Sequence, residues 1–260
     1  MARYKLTVEY EGTRYSGWQV QKNARTIQGE LIGAAKGMFK TDDFEIMGSG
    51  RTDAGVHALG QVAHLEAVTT LAPNIIQMKL NDKLPADINV LHVEKAAHDF
   101  HARHHAEART YLYQIATRRT AFGKRYVWWI KDKLNVSVIQ RAATLFEGMH
   151  DFRAFTKDNP TEKSTKVLLD ELRVEQHGSL ILFRITGSHF WWNMVRQVIG
   201  VLAEAGRGTL NESDIEALLK NKSSIQTNKY TAAPSGLFLE RVYYKGDKRV
   251  HSLRPTLNID

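Results

Sequence analysis

Two hydrophobic rhythms alternate along this chain and then alternate again, which restricts it to strands packed against helices. Tyr4, Leu6, Val8 and Tyr10 share one face at period two, so residues 3–10 read as a strand that Glu11-Gly12 ends. Thr26 is placed to cap a helix beginning TIQGELIGAAKGMF, where Ile27, Leu31, Ala34, Ala35 and Met38 form a stripe at helical spacing. Glycines then punctuate MGSGRTDAGVHALG, a shaped loop leading into the strand-like run QVAHLEAV. A short helix is expected from Pro73, since proline suits the first helical turn, and a strand over residues 88–93 completes a first α+β unit.

The second half repeats the scheme. A strand over 110–116 precedes a helix over 136–146, and TKVLLDELRVEQ and LILFRITG read as strands joined at His177-Gly178-Ser179. Met194, Val198, Val201, Leu202 and Ala205 then make a core-facing helix that Gly206 is expected to end. A helix over 212–220 capped by Asn211 and a last strand over 237–244 follow. There is no short-period repeat and no low-complexity linker, so two halves, residues 1–104 and 105–260, are expected to share an extensive interface.

Composition narrows the function classes. A chain without cysteine has no disulfide, thiolate metal site or cysteine nucleophile, which fits a reducing cytoplasm. No stretch reaches the length of a membrane span, and the N-terminus lacks a long apolar export segment. Charge is asymmetric: residues 1–104 carry 12 Lys and Arg against 12 Asp and Glu, whereas the remainder carries 24 against 16. The whole excess of +8 therefore lies in the second half, where either a solvated basic face or a polyanion-binding surface accounts for it. Arg118, Arg119, Lys124 and Arg125, followed by Tyr126, Trp128 and Trp129, mix cations with aromatic rings as an RNA-facing surface does; a solvated hairpin with its tryptophans in the core is the alternative.

Residues 48–57 place an aspartate and an arginine among glycines, outside any regular period. A carboxylate so presented can attack an electrophilic sugar carbon or accept a proton, and Asp53 is that carboxylate. Arg51 can pair with it, hold a phosphate or enter the space left by an extruded base. By chemistry alone, an aspartate and an arginine that merely fasten a turn are the first reading of this pair. His98, His101, His104 and His105 form a competing signal, since histidines three apart on a helix can share a metal, but no carboxylate-rich pattern accompanies them. There is no Walker A or dinucleotide-binding glycine pattern.

GRTDAGVHALGQVAHL resembles the signature loop of the TruA-type tRNA pseudouridine synthases. The likeness continues in register through YEGTRYSGWQ, TIQGEL, FHARHHAEARTYLY, HDFRAF, FWWNMVRQVIG and APSGLFLERVYY, and so spans nearly the whole chain. It departs at His104-His105, where many relatives carry Phe-Ser, and at Trp191-Trp192. The resemblance implies an α+β fold: two related halves with mostly antiparallel sheets that continue across a central cleft, with helices on one side. It implies isomerisation of uridine to pseudouridine in the anticodon stem-loop of tRNA, at positions 38, 39 and 40, with Asp53 as nucleophile. Tyr111 is implied to lie against the target base, Arg196 to pair with the catalytic carboxylate, and Leu237 to pack beneath the base. Because the isomerisation involves no redox change, neither a cofactor nor a metal is expected. A homodimer whose tRNA contacts both subunits is also implied. The alternative is a non-catalytic basic tRNA-binding or RNA-folding protein on the same scaffold.

Overall fold

The computed structural model describes residues 1–156 and 164–257, and the chain divides into two compact units. The first comprises Met1–Glu107 with Phe238–Lys248, the second Ala108–Leu237 with Arg249–Asp260. The fold is mixed α/β, with mostly antiparallel strands and five α-helices among the described residues.

In the first unit β1 (Ala2–Tyr10) buries Tyr4, Leu6, Val8 and Tyr10, the face its period assigns to the core. α1 (Ile27–Phe39) begins where Thr26 accepts the Gly29 amide on its hydroxyl, and its stripe is buried as far as Ala35, with Met38 only half-buried. β2 (Phe44–Gly48) and β3 (His57–Ala67) form an antiparallel pair around the glycine-rich loop. α2 (Pro73–Asn81) has its proline in the first turn. It leads to β4 (Ile88–Lys95), which lies antiparallel to β1 on the side away from β3. Asn81 both accepts the Val90 amide, at 2.8 Å, and donates to its carbonyl, at 2.9 Å, so the helix satisfies backbone groups that β1 leaves open.

In the second unit β5 (Ala108–Ala116) pairs with a two-residue parallel strand, β6 (Trp128–Trp129). α3 (Val136–Thr144) starts at an Asn135 cap and stops two residues short of the span its pattern allows; β7 (Gly148–Asp151) follows at once. β8 (Lys166–His177) and β9 (Leu180–Gly187) form a hairpin whose two-residue turn holds Gly178 at φ +53°. The antiparallel order is β5-β9-β8-β7.

α4 (Met194–Arg207) runs past the glycine expected to end it. Gly206 lies inside the helix, where an added Cβ would stand 2.6 Å from Ile139 Cδ1 on α3, so that glycine permits close packing. Gly208, at φ +81°, is the residue that terminates the helix. α5 (Glu212–Leu219) carries a capping box between Asn211 and Asp214. β10 (Leu237–Tyr243) then pairs in parallel with β3 through Phe238 and Leu239. Among the described residues no helix is long and apolar enough to cross a membrane.

Candidate active site

Asp53 and Arg51 sit on the loop between β2 and β3, Arg51 exposed and Asp53 half-buried. The Asp53 carbonyl accepts the Val56 amide at 3.1 Å, and Gly55 at φ +77° allows the chain to turn there. The loop is held from several directions. Ser49 Oγ and Gln61 Oε1 are 2.7 Å apart, and Gln61 also donates to the Gly50 carbonyl, which fixes the entry to the loop. On the other side the Thr52 carbonyl accepts the Trp18 amide at 3.0 Å, while Thr52 Oγ1 lies 2.8 Å from the buried Tyr10 hydroxyl. The buried His57 accepts the Gly12 amide on Nδ1 at 3.0 Å and stacks on Phe238 at 4.8 Å.

These contacts explain the run YEGTRYSGWQ. An added Cβ at Gly12 would stand 1.9 Å from the Val56 carbonyl oxygen, and one at Gly17 only 2.5 Å from that of Thr52. Across the loop, Gly48 leaves room for the Trp18 ring. Gly12, Gly17, Trp18, Thr52 and His57 are thus residues that set the position of Asp53; sequence reasoning gave Gly12 only the role of ending a strand and assigned none to the others. The signal was present as two glycine- and aromatic-rich runs far apart in the chain, but only tertiary structure shows that one braces the other.

The second unit holds Tyr111, Arg196 and Leu237. Tyr111, on β5, is half-buried and meets Phe190 edge-to-face at 5.2 Å. Tyr113, two residues on, is fully buried; its hydroxyl donates to the Ala233 carbonyl at 2.7 Å, and Gly236 has no side chain because this ring occupies its place. Burial pushes the Tyr113 phenol well above its ordinary pKa, and the Arg196 charge pulls it partly back.

Arg196 lies on the first turn of α4 and is half-buried. Its Nε donates to the Ala232 carbonyl at 2.7 Å and its Nη1 to Asn193 Oδ1 at 2.9 Å. Asn193 itself adopts a left-handed conformation, φ +59°, immediately before the helix. Tyr113 and Arg196 therefore grip consecutive carbonyls of the segment that leads into APSGL, and Leu237 is buried at its end. Tyr113 and Asn193 were not singled out from sequence, the first because a buried strand tyrosine looks like ordinary core.

FHARHH is a succession of turns, not a helix. His64 from β3 is buried and accepts the Ala102 amide on Nδ1 at 3.2 Å, with the His101 ring 4.8 Å away and His104 a further 4.2 Å from His101. Among the described residues no three histidines or carboxylates are arranged to hold a metal. The basic segment after β5 is solvent-facing: Arg118, Arg119, Lys124 and Arg125 are exposed, and Trp129 is 43% exposed.

A family model described as tRNA pseudouridine synthase matches residues 6–105 and 142–245. tRNA pseudouridine synthase A of Geobacillus kaustophilus is 38% identical over 253 residues, covering 96% of this chain and 98% of that protein. The protein of the same name from Clostridium kluyveri is 39% identical over 249 residues, covering 94% and 100%. With so much of each sequence shared, the chain belongs to the tRNA pseudouridine synthase family.

Proposed function

We propose that this chain isomerises uridine to pseudouridine in the anticodon stem-loop of tRNA, at positions 38, 39 and 40, with Asp53 as the nucleophile. Family membership carries the reaction and the class of substrate. The observation that best supports the role of Asp53 is its setting: a half-buried carboxylate on a turn clamped by Trp18, Thr52 and His57. Such a clamp limits how far the carboxylate can drift during attack.

In this reading the target nucleotide leaves its stack, at an expense of a few kcal/mol. The Asp53 carboxylate attacks the ribose C1′ and the N1 glycosidic bond breaks, releasing uracil with the bonding electrons on N1. The base then rotates so that C5 faces C1′. C5 bonds to C1′ and displaces the carboxylate, the C5 proton is lost, and N1 gains a proton, so no electrons are exchanged with a redox partner. Tyr111 stacks on the base and Leu237 packs beneath it. Arg196 balances the carboxylate charge, and Arg51 holds a phosphate or occupies the vacated space in the stem. The same reading includes a homodimer acting in the cytoplasm.

Asp53→Asn tests it. The variant is expected to bind unmodified tRNA as tightly as the wild type and to form no pseudouridine within the assay limit. Equal turnover by the two proteins would remove Asp53 from the mechanism. Formation of no pseudouridine by the wild type, with tRNA binding retained, would instead favour a non-catalytic binding protein. Mapping of pseudouridine in the product tRNA tests the assignment to positions 38, 39 and 40.

A further inference from the structure

Residues 117–130, TRRTAFGKRYVWWI, carry four cations and no acid, and their two ends differ sharply in burial. The root is anchored. Val127 and Ile130 are buried, the Ser235 hydroxyl donates to the Val127 carbonyl at 2.9 Å, and the Ile130 amide donates to the Ala116 carbonyl at 3.0 Å. Gln114, fully buried on β5, donates to the Tyr126 carbonyl at 2.8 Å. The tip is open. Phe122 is 88% exposed, the largest exposure of any large apolar side chain among the described residues, and Gly123 turns the chain beside it at φ +73°.

A phenylalanine held in water at the end of a fastened loop loses hydrophobic stabilisation in the free protein. A partner that covers the ring recovers it. The exposed charges nearest in sequence, Arg118, Arg119, Lys124 and Arg125, are all positive, so the partner must be anionic; with a flat ring at the centre, it must also offer a face for stacking. Nucleobases on a phosphate backbone meet both conditions.

We infer that this segment is a grip for an unpaired or splayed stretch of RNA, in which Phe122 stacks on a base while the four cations track neighbouring phosphates. The inference rests on the proposed tRNA substrate and adds a second contact region, outside the residues proposed for chemistry. Because the root is fastened to β5, the tip is presented in a set orientation and loses little conformational freedom when RNA binds.

The test is equilibrium binding of unmodified tRNA transcript across a salt series. Phe122→Ala is expected to weaken binding about tenfold with no change in salt slope, because stacking releases no counterions. Phe122→Leu, which keeps an apolar side chain without a π face, is expected to behave as Phe122→Ala does, whereas Phe122→Trp retains wild-type affinity. Replacing the four cations by glutamine is expected to lower the salt slope by about two to three. Wild-type affinity in both Phe122→Ala and Phe122→Leu would overturn the inference. So would a change in self-association of Phe122→Ala, seen by sedimentation, with tRNA affinity intact, since that result makes the tip a protein contact. Neither outcome touches the isomerase reading, which fails only if the wild type forms no pseudouridine.

Discussion

Gly17 shows how one residue without a side chain can set the position of another far along the chain. It holds φ +92°, a conformation that other residues rarely adopt, and its α-carbon faces the Thr52 carbonyl so closely that a methyl group has no room. Gly17→Ala is expected to destabilise the protein by about 2 kcal/mol or more. It should also lower turnover by displacing Asp53; urea midpoints and single-turnover assays of the same variant measure the two effects. His64 supplies a pH-dependent counterpart. Burial, then the charges of His101 and Arg3, push its pKa down to about 4, with Glu66 opposing them. Its Nδ1 already accepts the Ala102 amide, so a proton there would set donor against donor. An unfolded histidine titrates near ~6.5, so between these values the unfolded chain takes up a proton that folded His64 refuses. The contribution is therefore complete above ~6.5 and is lost as pH falls toward 4, by up to about 3 kcal/mol. Urea denaturation at pH 7 and pH 5 should show a smaller loss of stability in His64→Gln than in the wild type. At this scale the loop that presents Asp53 was legible because glycines broke the surrounding pattern. Trp18 and His57 were not, because bracing is a property of contacts between distant residues.

Elements with a full period of their own were readable. β1, α1 and α5 lie where their apolar spacing and caps place them, and α4 where its spacing does, although it ends at Gly208 and not at Gly206, since burial of a complete face outweighs local alternatives. β2, β6 and β7 were not, for the longest has five residues and the shortest two, too few for a period to emerge. They exist because a neighbouring strand offers hydrogen bonds. Glycines on α4 make the related point that the same residue type serves different ends: Gly206 admits α3, Gly208 ends the helix, and Gly200 admits a backbone. A Cβ at Gly200 would stand 1.6 Å from the Tyr230 carbonyl oxygen, two residues before the Ala232 carbonyl that Arg196 grips. Gly200→Ala is expected to destabilise the protein by about 3 kcal/mol or more despite alanine's better helix propensity. Thermal melting measures that effect, and a loss of turnover larger than the folded fraction explains would report movement of Arg196.

Residues 238–257 are divided between the two units. Phe238–Lys248 belong to the first, whereas the segment from Arg249 returns to the second and lies across its sheet. Every residue of β9 is buried, which requires cover on both faces, and the tail supplies part of it. Arg184 of β9, buried itself, donates to the Val250 and Ser252 carbonyls, at 3.2 and 2.6 Å. Arg173 donates to the His251 carbonyl, and Gln114 and Thr256 exchange two hydrogen bonds. Truncation after Lys248 is expected to leave Arg184 short of acceptors and to speed hydrogen exchange at β9 amides, read by mass spectrometry; unchanged protection there would show that the tail contributes no cover. The sequence by itself determined the alternation of strands and helices, which is written in local spacing, and the family, which is carried by motifs in the same order along nearly the whole chain. Only the tertiary structure decided that the C-terminal segment is divided between two units and that residues 12–18 brace Asp53. Those outcomes depend on which distant backbone groups find a partner, and no local period encodes that.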